Sequence, residues 1–139
     1  MDALKAANGW YLELEANGEK GIAGAPIVLD GKMLFNTYLP EGVIDPKNCT
    51  VQEGESNGYA VNVLNGAPAY NFDGLGDTTN LTKGDRHRTL GFGIASQPVP
   101  VFTEEGITVL SGVGGGMDNF DPNIGLPRFR TYWFNELDH

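Results

Sequence analysis

Three carboxylates, Asp73, Asp77 and Asp85, share one glycine-rich stretch that opens Phe72-Asp73-Gly74-Leu75-Gly76-Asp77 and runs on through Asn80. Calcium takes several oxygen ligands from one flexible loop, which acidic residues at alternating places supply and glycine allows to turn. Asp73 and Asp77 fall at the first and fifth places of a calcium loop of EF-hand type, with Asp85 near the closing carboxylate. Leu75 stands at the third place, where Asp or Asn is expected, and Thr78 replaces glycine at the sixth. Two readings are open: a degenerate calcium loop held by Asp73, Asp77 and Asp85, and a solvated acidic turn. A second oxygen-rich stretch, Asp118-Asn119-Phe120-Asp121-Pro122-Asn123, has no ligand spacing, and an Asx turn before proline accounts for it.

Catalytic chemistry has less to work with. The two histidines are His87, flanked by Arg86 and Arg88, and the terminal His139; neither forms a sequence pattern with Ser111 or Cys49 that implies a nucleophile and its base. The run Gly112-Val113-Gly114-Gly115-Gly116 would cradle a phosphate if it opened a helix, which Pro122 and Pro127 oppose. It reads as a flexible loop, and no enzyme is expected. The aromatic residues Trp10, Tyr11, Tyr132, Trp133 and Phe134 read as packing between strands ahead of a ligand platform.

Whatever these residues do, a repeated β unit must position them. Pro26-Ile27-Val28, a turn at Asp30-Gly31 and the apolar run Met33 to Leu39 are echoed by Pro98-Val99, a turn at Glu104-Glu105-Gly106 and Ile107 to Leu110. Each copy reads as a strand entered through proline, a tight turn and a second strand, the inner hairpin of a β-propeller blade. Gly58 to Gly66 and Ala67 to Phe72 read as the third and fourth strands of the first blade, and 9–14 and 132–137 as outer strands. The expected class is all-β: about two blades, with a blade end over 9–20, a blade over 21–72 and a last blade over 91–137. A closed propeller needs about four blades or more, so this segment is expected to be incomplete on its own. A small two-layer β sandwich is the competing architecture. The polar stretches 41–57, 73–89 and 112–127 read as long connections, where recognition usually sits.

Composition narrows the partners. The 139 residues carry 18 acidic and 9 basic side chains, a formal charge of −9, with no basic cluster beyond Arg86-His87-Arg88, so nucleic acid is not an expected partner. Twenty glycines and eight prolines favour turns over helix. No apolar stretch is long enough to span a bilayer, and the first residues lack a signal peptide's pattern, so an export signal is expected upstream. The single Cys49 is either a free thiol or half of a disulfide completed elsewhere.

Several motifs, taken in order, resemble the C-terminal propeller of the PilC/PilY type IV pilus proteins. They are Gly9-Trp10-Tyr11-Leu12-Glu13-Leu14, Gly18-Glu19, Pro26, Leu34-Phe35-Asn36-Thr37-Tyr38-Leu39-Pro40, Gly66, Phe72-Asp73, Gly91 to Val99 and the closing Arg130-Thr131-Tyr132-Trp133. Cys49 falls where that family often has a cysteine. The resemblance implies a pilus-biogenesis factor and tip-associated adhesin, displayed on the pilus tip, the cell surface or the outer membrane, or held in the periplasm. It implies protein or surface binding, with minor pilins, a host or surface ligand, or the missing part of the same propeller as partners. Family members often carry a fuller calcium loop, with Asn-Gly-Asp-Gly after the Phe-Asp pair; here only Asp73 and Asp77 remain of it. Two alternatives stand beside this reading: a fragment of a quinoprotein-type propeller dehydrogenase, and a free-standing β sandwich that binds carbohydrate through Trp10 or Trp133.

Overall fold

The structure, a computed structural model, describes residues 9–14, 16–21, 24–40, 53–74 and 79–124. Seven strands are placed among them: β1 (Ile27–Leu29), β2 (Lys32–Leu39), β3 (Glu55–Asn62), β4 (His87–Phe92), β5 (Val99–Phe102), β6 (Ile107–Val113) and β7 (Gly116–Phe120). They form two antiparallel sheets in simple meander order, β1-β2-β3-β4 and β5-β6-β7. The all-β class read from the sequence is therefore correct, and neither sheet closes on itself.

Both repeated hairpins are present, β1–β2 in the first sheet and β5–β6 in the second. Asp30 and Gly31 close the first, with φ of 47° and 70°, the paired positive values of a tight two-residue turn whose twist suits a hairpin. Gly114 and Gly115, at 56° and 78°, do the same between β6 and β7. The glycine run is thus a hairpin turn rather than a flexible loop, and 112–127 holds a whole strand up to Phe120. Two further expectations are corrected. Residues 67–72 make only an isolated bridge, Val61 to Pro68, and the fourth strand is β4, which pairs with β3 from Tyr59 to Glu55. Residues 9–14 form no strand; the first segment touches the ladder only where Lys20 pairs with Tyr38. The tail 132–137 lies outside the described residues.

The sheets pack on one another. Leu34 of β2, Ala60 of β3 and Val109 of β6 form the buried apolar centre, with Ile27, Leu29, Tyr70, Phe72 and Phe120 against it. Phe120 meets Tyr70 edge-on at 4.9 Å and Phe72 at 5.4 Å. Polar groups cross the same interface as matched pairs: the Asn36 amide donates to Ser96 O at 2.7 Å and to Ser111 Oγ at 3.0 Å, and Arg88 pairs with Asp118 while lying over the Phe120 ring. The void left between the sheets is about 30 Å³, room for little more than a water, so this interface is a core and not a ligand site.

The Tyr70 hydroxyl is the misfit of this cluster, buried without a hydrogen-bond partner among the described residues. Burial, aided by Asp30 and Asp121, pushes its pKa from 10.0 up to about 12. The fold therefore favours the neutral phenol, and that contribution is intact below pH 10 and lost as pH climbs towards 12. Tyr70→Phe is expected to raise the unfolding free energy by about 1 kcal/mol, since it removes a buried donor that nothing accepts. It is also expected to flatten the alkaline loss, both effects being read from urea midpoints at pH 7 and above pH 10.

The register shows which faces meet. The residue after each entry proline, Ile27 or Val99, pairs with a leucine, Leu34 or Leu110, so these two leucines are equivalents in the repeat. Leu34 points into the interface, but in the second sheet the buried residues are Ile107, Val109 and Ser111, which alternate with Leu110. The front of the first sheet thus packs on the back of the second. The back of the first sheet, with Thr37, Asn57, Tyr59 and Val61 all buried, is covered by the segment around residues 10–20. The front of the second sheet is bare.

Candidate functional site

Three places could carry function: the acidic loop, a polar cleft on the back of the first sheet, and the bare front of the second. In the acidic loop the Asp85 side chain is fully buried. Its Oδ1 accepts from the backbone N–H of Phe72 at 3.0 Å and of Asp73 at 3.3 Å. Its Oδ2 accepts from Thr82 N at 2.7 Å and Thr82 Oγ1 at 3.1 Å. The Thr82 N–H foremost holds its carboxyl below the usual 3.8; burial opposes this, and the N–H groups of Asp73 and Phe72 add to it. Asp85 sits at the third place of a 3-10 helical turn, Lys83–Arg86, that delivers the chain into β4. Both its oxygens are thus filled by donors of the chain itself, and the carboxylate ties the end of the loop to its beginning.

Asp77 lies outside the described residues. Asp73 contributes its N–H to Asp85, and among the described residues no group of three His, Cys, Asp or Glu side chains is placed to hold a metal. The sequence located this carboxylate correctly as the closing group of the loop; what closes on it in the structure is a set of N–H and O–H donors.

The cleft, of about 350 Å³, lies between the segment carrying Glu13 and Glu19 and the turn carrying Lys83, Arg86 and His87. Glu19 accepts from Thr37 Oγ1, from Asn57 Nδ2 at 3.3 Å and from Tyr59 OH at 3.2 Å, which docks the first segment on the back of the sheet. It follows the Asn17-Gly18 turn, where Gly18 has φ 90°, a local signal that places Glu19 at the sheet but does not announce its partners. The His87 ring stacks on Tyr59 at 5.0 Å, and Tyr59 on Phe35 at the same distance. Ser111 lies on the other side of this sheet, engaged by Asn36, so β3 and its neighbours stand between it and His87. Cys49 and His139 lie outside the described residues. Trp10 is committed to packing: its Nε1 donates to Val63 O at 2.9 Å, and its ring lies so close to Gly66 that a Cβ there would sit 2.7 Å from it. Trp133 lies outside the described residues.

The bare front of the second sheet is set by register alone. Val99, Val101, Thr108, Leu110, Gly112, Met117 and Asn119 share it, because Val99 pairs with Leu110 and Leu110 with Asn119, while Val101 pairs with Thr108 and Gly112 with Met117. None of the seven is charged, and Val99 is 51% and Met117 72% exposed. The nearest charges in sequence, Glu104 and Glu105, lie in the turn at one end, and Asp118 points the other way, to Arg88. An apolar face of this kind, on a chain of charge −9, has the chemistry of a contact surface. The chain matches no protein-family model, no curated protein and no solved structure in these three comparisons.

Proposed function

We propose that this chain is a non-enzymatic assembly and binding module of the type IV pilus system, the end part of a β-propeller, acting at the cell surface or pilus tip through contacts with minor pilins or other protein surfaces. The observation that carries the binding part is the bare, uncharged front of the second sheet. Front-to-back packing supports the propeller part: radial repetition of one unit sets the front of each sheet on the back of the next, whereas a two-fold sandwich sets like faces together. The pilus assignment itself rests on the ordered motifs that resemble the PilC/PilY proteins. With 112–120 folded into a hairpin, contact in this reading moves from that stretch as a loop to the sheet face beside it.

The test is an immunoblot for this chain on surface filaments sheared from its source cells, beside the periplasmic and membrane fractions. Enrichment in the filament fraction is expected. A signal confined to the periplasm overturns the pilus reading and moves weight to the quinoprotein alternative.

A further inference from the structure

We propose that the front of the second sheet is a docking face for a second copy of this chain, the two copies meeting front to front about a two-fold axis through Val99, Val101, Leu110 and Met117. The inference deepens the assembly reading and rests on it in treating the bare face as adhesive.

Three observations favour this occupant. The same face of the repeat, in the first sheet, is buried: Ile27, Leu29 and Leu34, the equivalents of Val99, Val101 and Leu110, pack against a neighbouring sheet. A flat array of β-branched and aliphatic side chains on this framework is therefore a surface that sheets pack on, about 10 Å apart. Charge then selects the partner. Two copies carrying −9 each repel wherever their acidic surfaces approach, and a face with no charged residue is where they can meet without that repulsion. Finally, the face offers more than the edge. β5 carries Pro100, which lacks an N–H, so strand addition along that edge loses a donor and stacking on the face does not. An isologous contact follows, because an uncharged apolar patch is complementary to itself.

Sedimentation velocity on the purified chain over about a hundredfold range of concentration tests this. A weight-average mass rising from 14.9 kDa towards twice that value is expected. Val99→Glu puts like charges across the axis and is expected to weaken dimerisation at least about tenfold. Val28→Glu, equally exposed but on the back of the first sheet, is expected to leave it unchanged. Circular dichroism confirms folding, and Met117→Glu takes the place of Val99→Glu if the latter does not fold. A monomer at every concentration overturns the proposal, as does a dimer unaffected by both front-face substitutions. A monomeric chain still found in sheared filaments would overturn the self-docking and keep the pilus reading. A dimer that breaks as expected from a chain absent from filaments would do the reverse.

Discussion

Leu34→Ala is expected to lower the unfolding free energy by about 2–5 kcal/mol, and Leu110→Ala, its equivalent in the repeat, by about 1 kcal/mol or less. The measurement is urea unfolding at a concentration low enough for the chain to be monomeric. Leu34 is 4% exposed at the centre of the inter-sheet cluster, in contact with the layer that includes Ala60 and Val109, so truncation leaves a cavity that two sheets cannot both close. Leu110 occupies the matching rung of the second hairpin, but its side chain leaves the opposite face and has no sheet beyond it. A like-face sandwich built from the same two hairpins would make the two losses similar. Equal losses at the two leucines would therefore contradict the front-to-back arrangement, and the described asymmetry would support it.

That asymmetry could not be read from the repeat. The sequence shows that Pro26 and Pro98 open equivalent hairpins, and both are present at the expected places. Which face a strand buries is a period-2 property, and Ile107-Thr108-Val109-Leu110 has apolar residues on both parities, so either face satisfies the pattern. The fourth strand was hidden for a related reason. His87-Arg88-Thr89-Leu90 looks like a polar connection, yet Arg88 is neutralised by Asp118 and capped by the Phe120 ring, so its charge is carried inside the interface by partners some thirty residues away. Ala67 to Phe72 looked more strand-like because it is apolar, but after the bridge at Pro68 its aromatics, Tyr70 and Phe72, serve as packing against Phe120 from a non-ladder segment.

The polar anchors follow the same rule. Glu19, Asn36 and Ser56 are ordinary residues in the sequence, and each becomes an anchor only through long-range geometry. Glu19 collects Thr37, Asn57 and Tyr59, while Asn36 joins Ser96 to Ser111. Ser56 donates to Gly93 O at 2.7 Å and accepts from Ala95 N at 2.9 Å, which pins the crossing from the first sheet to the second. Each satisfies a buried polar group that would otherwise cost stability, so together they select the packing of these two sheets over others with the same apolar content.

Asp85→Ala is expected to cause the largest loss of thermal stability of any single carboxylate substitution among the described residues, and Asp85→Asn to recover only part of it. Alanine leaves the N–H groups of Phe72, Asp73 and Thr82 and the Thr82 hydroxyl without their acceptor. Asparagine restores one oxygen but turns an NH₂ towards the remaining donors, so one half of the cluster faces donor against donor. The pH dependence gives the sign independently. Because the N–H donors, that of Thr82 foremost, hold the folded carboxyl below the 3.8 of the unfolded chain, its contribution is fully present above that value and is lost as pH falls through the folded pKa. Thermal midpoints of the parent are therefore expected to hold from neutral pH down to about 4 and then to fall, with that acid step reduced in Asp85→Asn. Amide exchange locates the effect. In the variants the Phe72, Asp73 and Thr82 amides are expected to exchange faster while those in the middle of β6 keep their relative protection. Unchanged protection at the three amides would remove Asp85 as the closure of the loop. Calcium bears on the same experiment: if the ion, added to the parent chain, raised the midpoint and Asp85→Asn abolished that rise, the loop would close on a cation as well as on its own N–H groups.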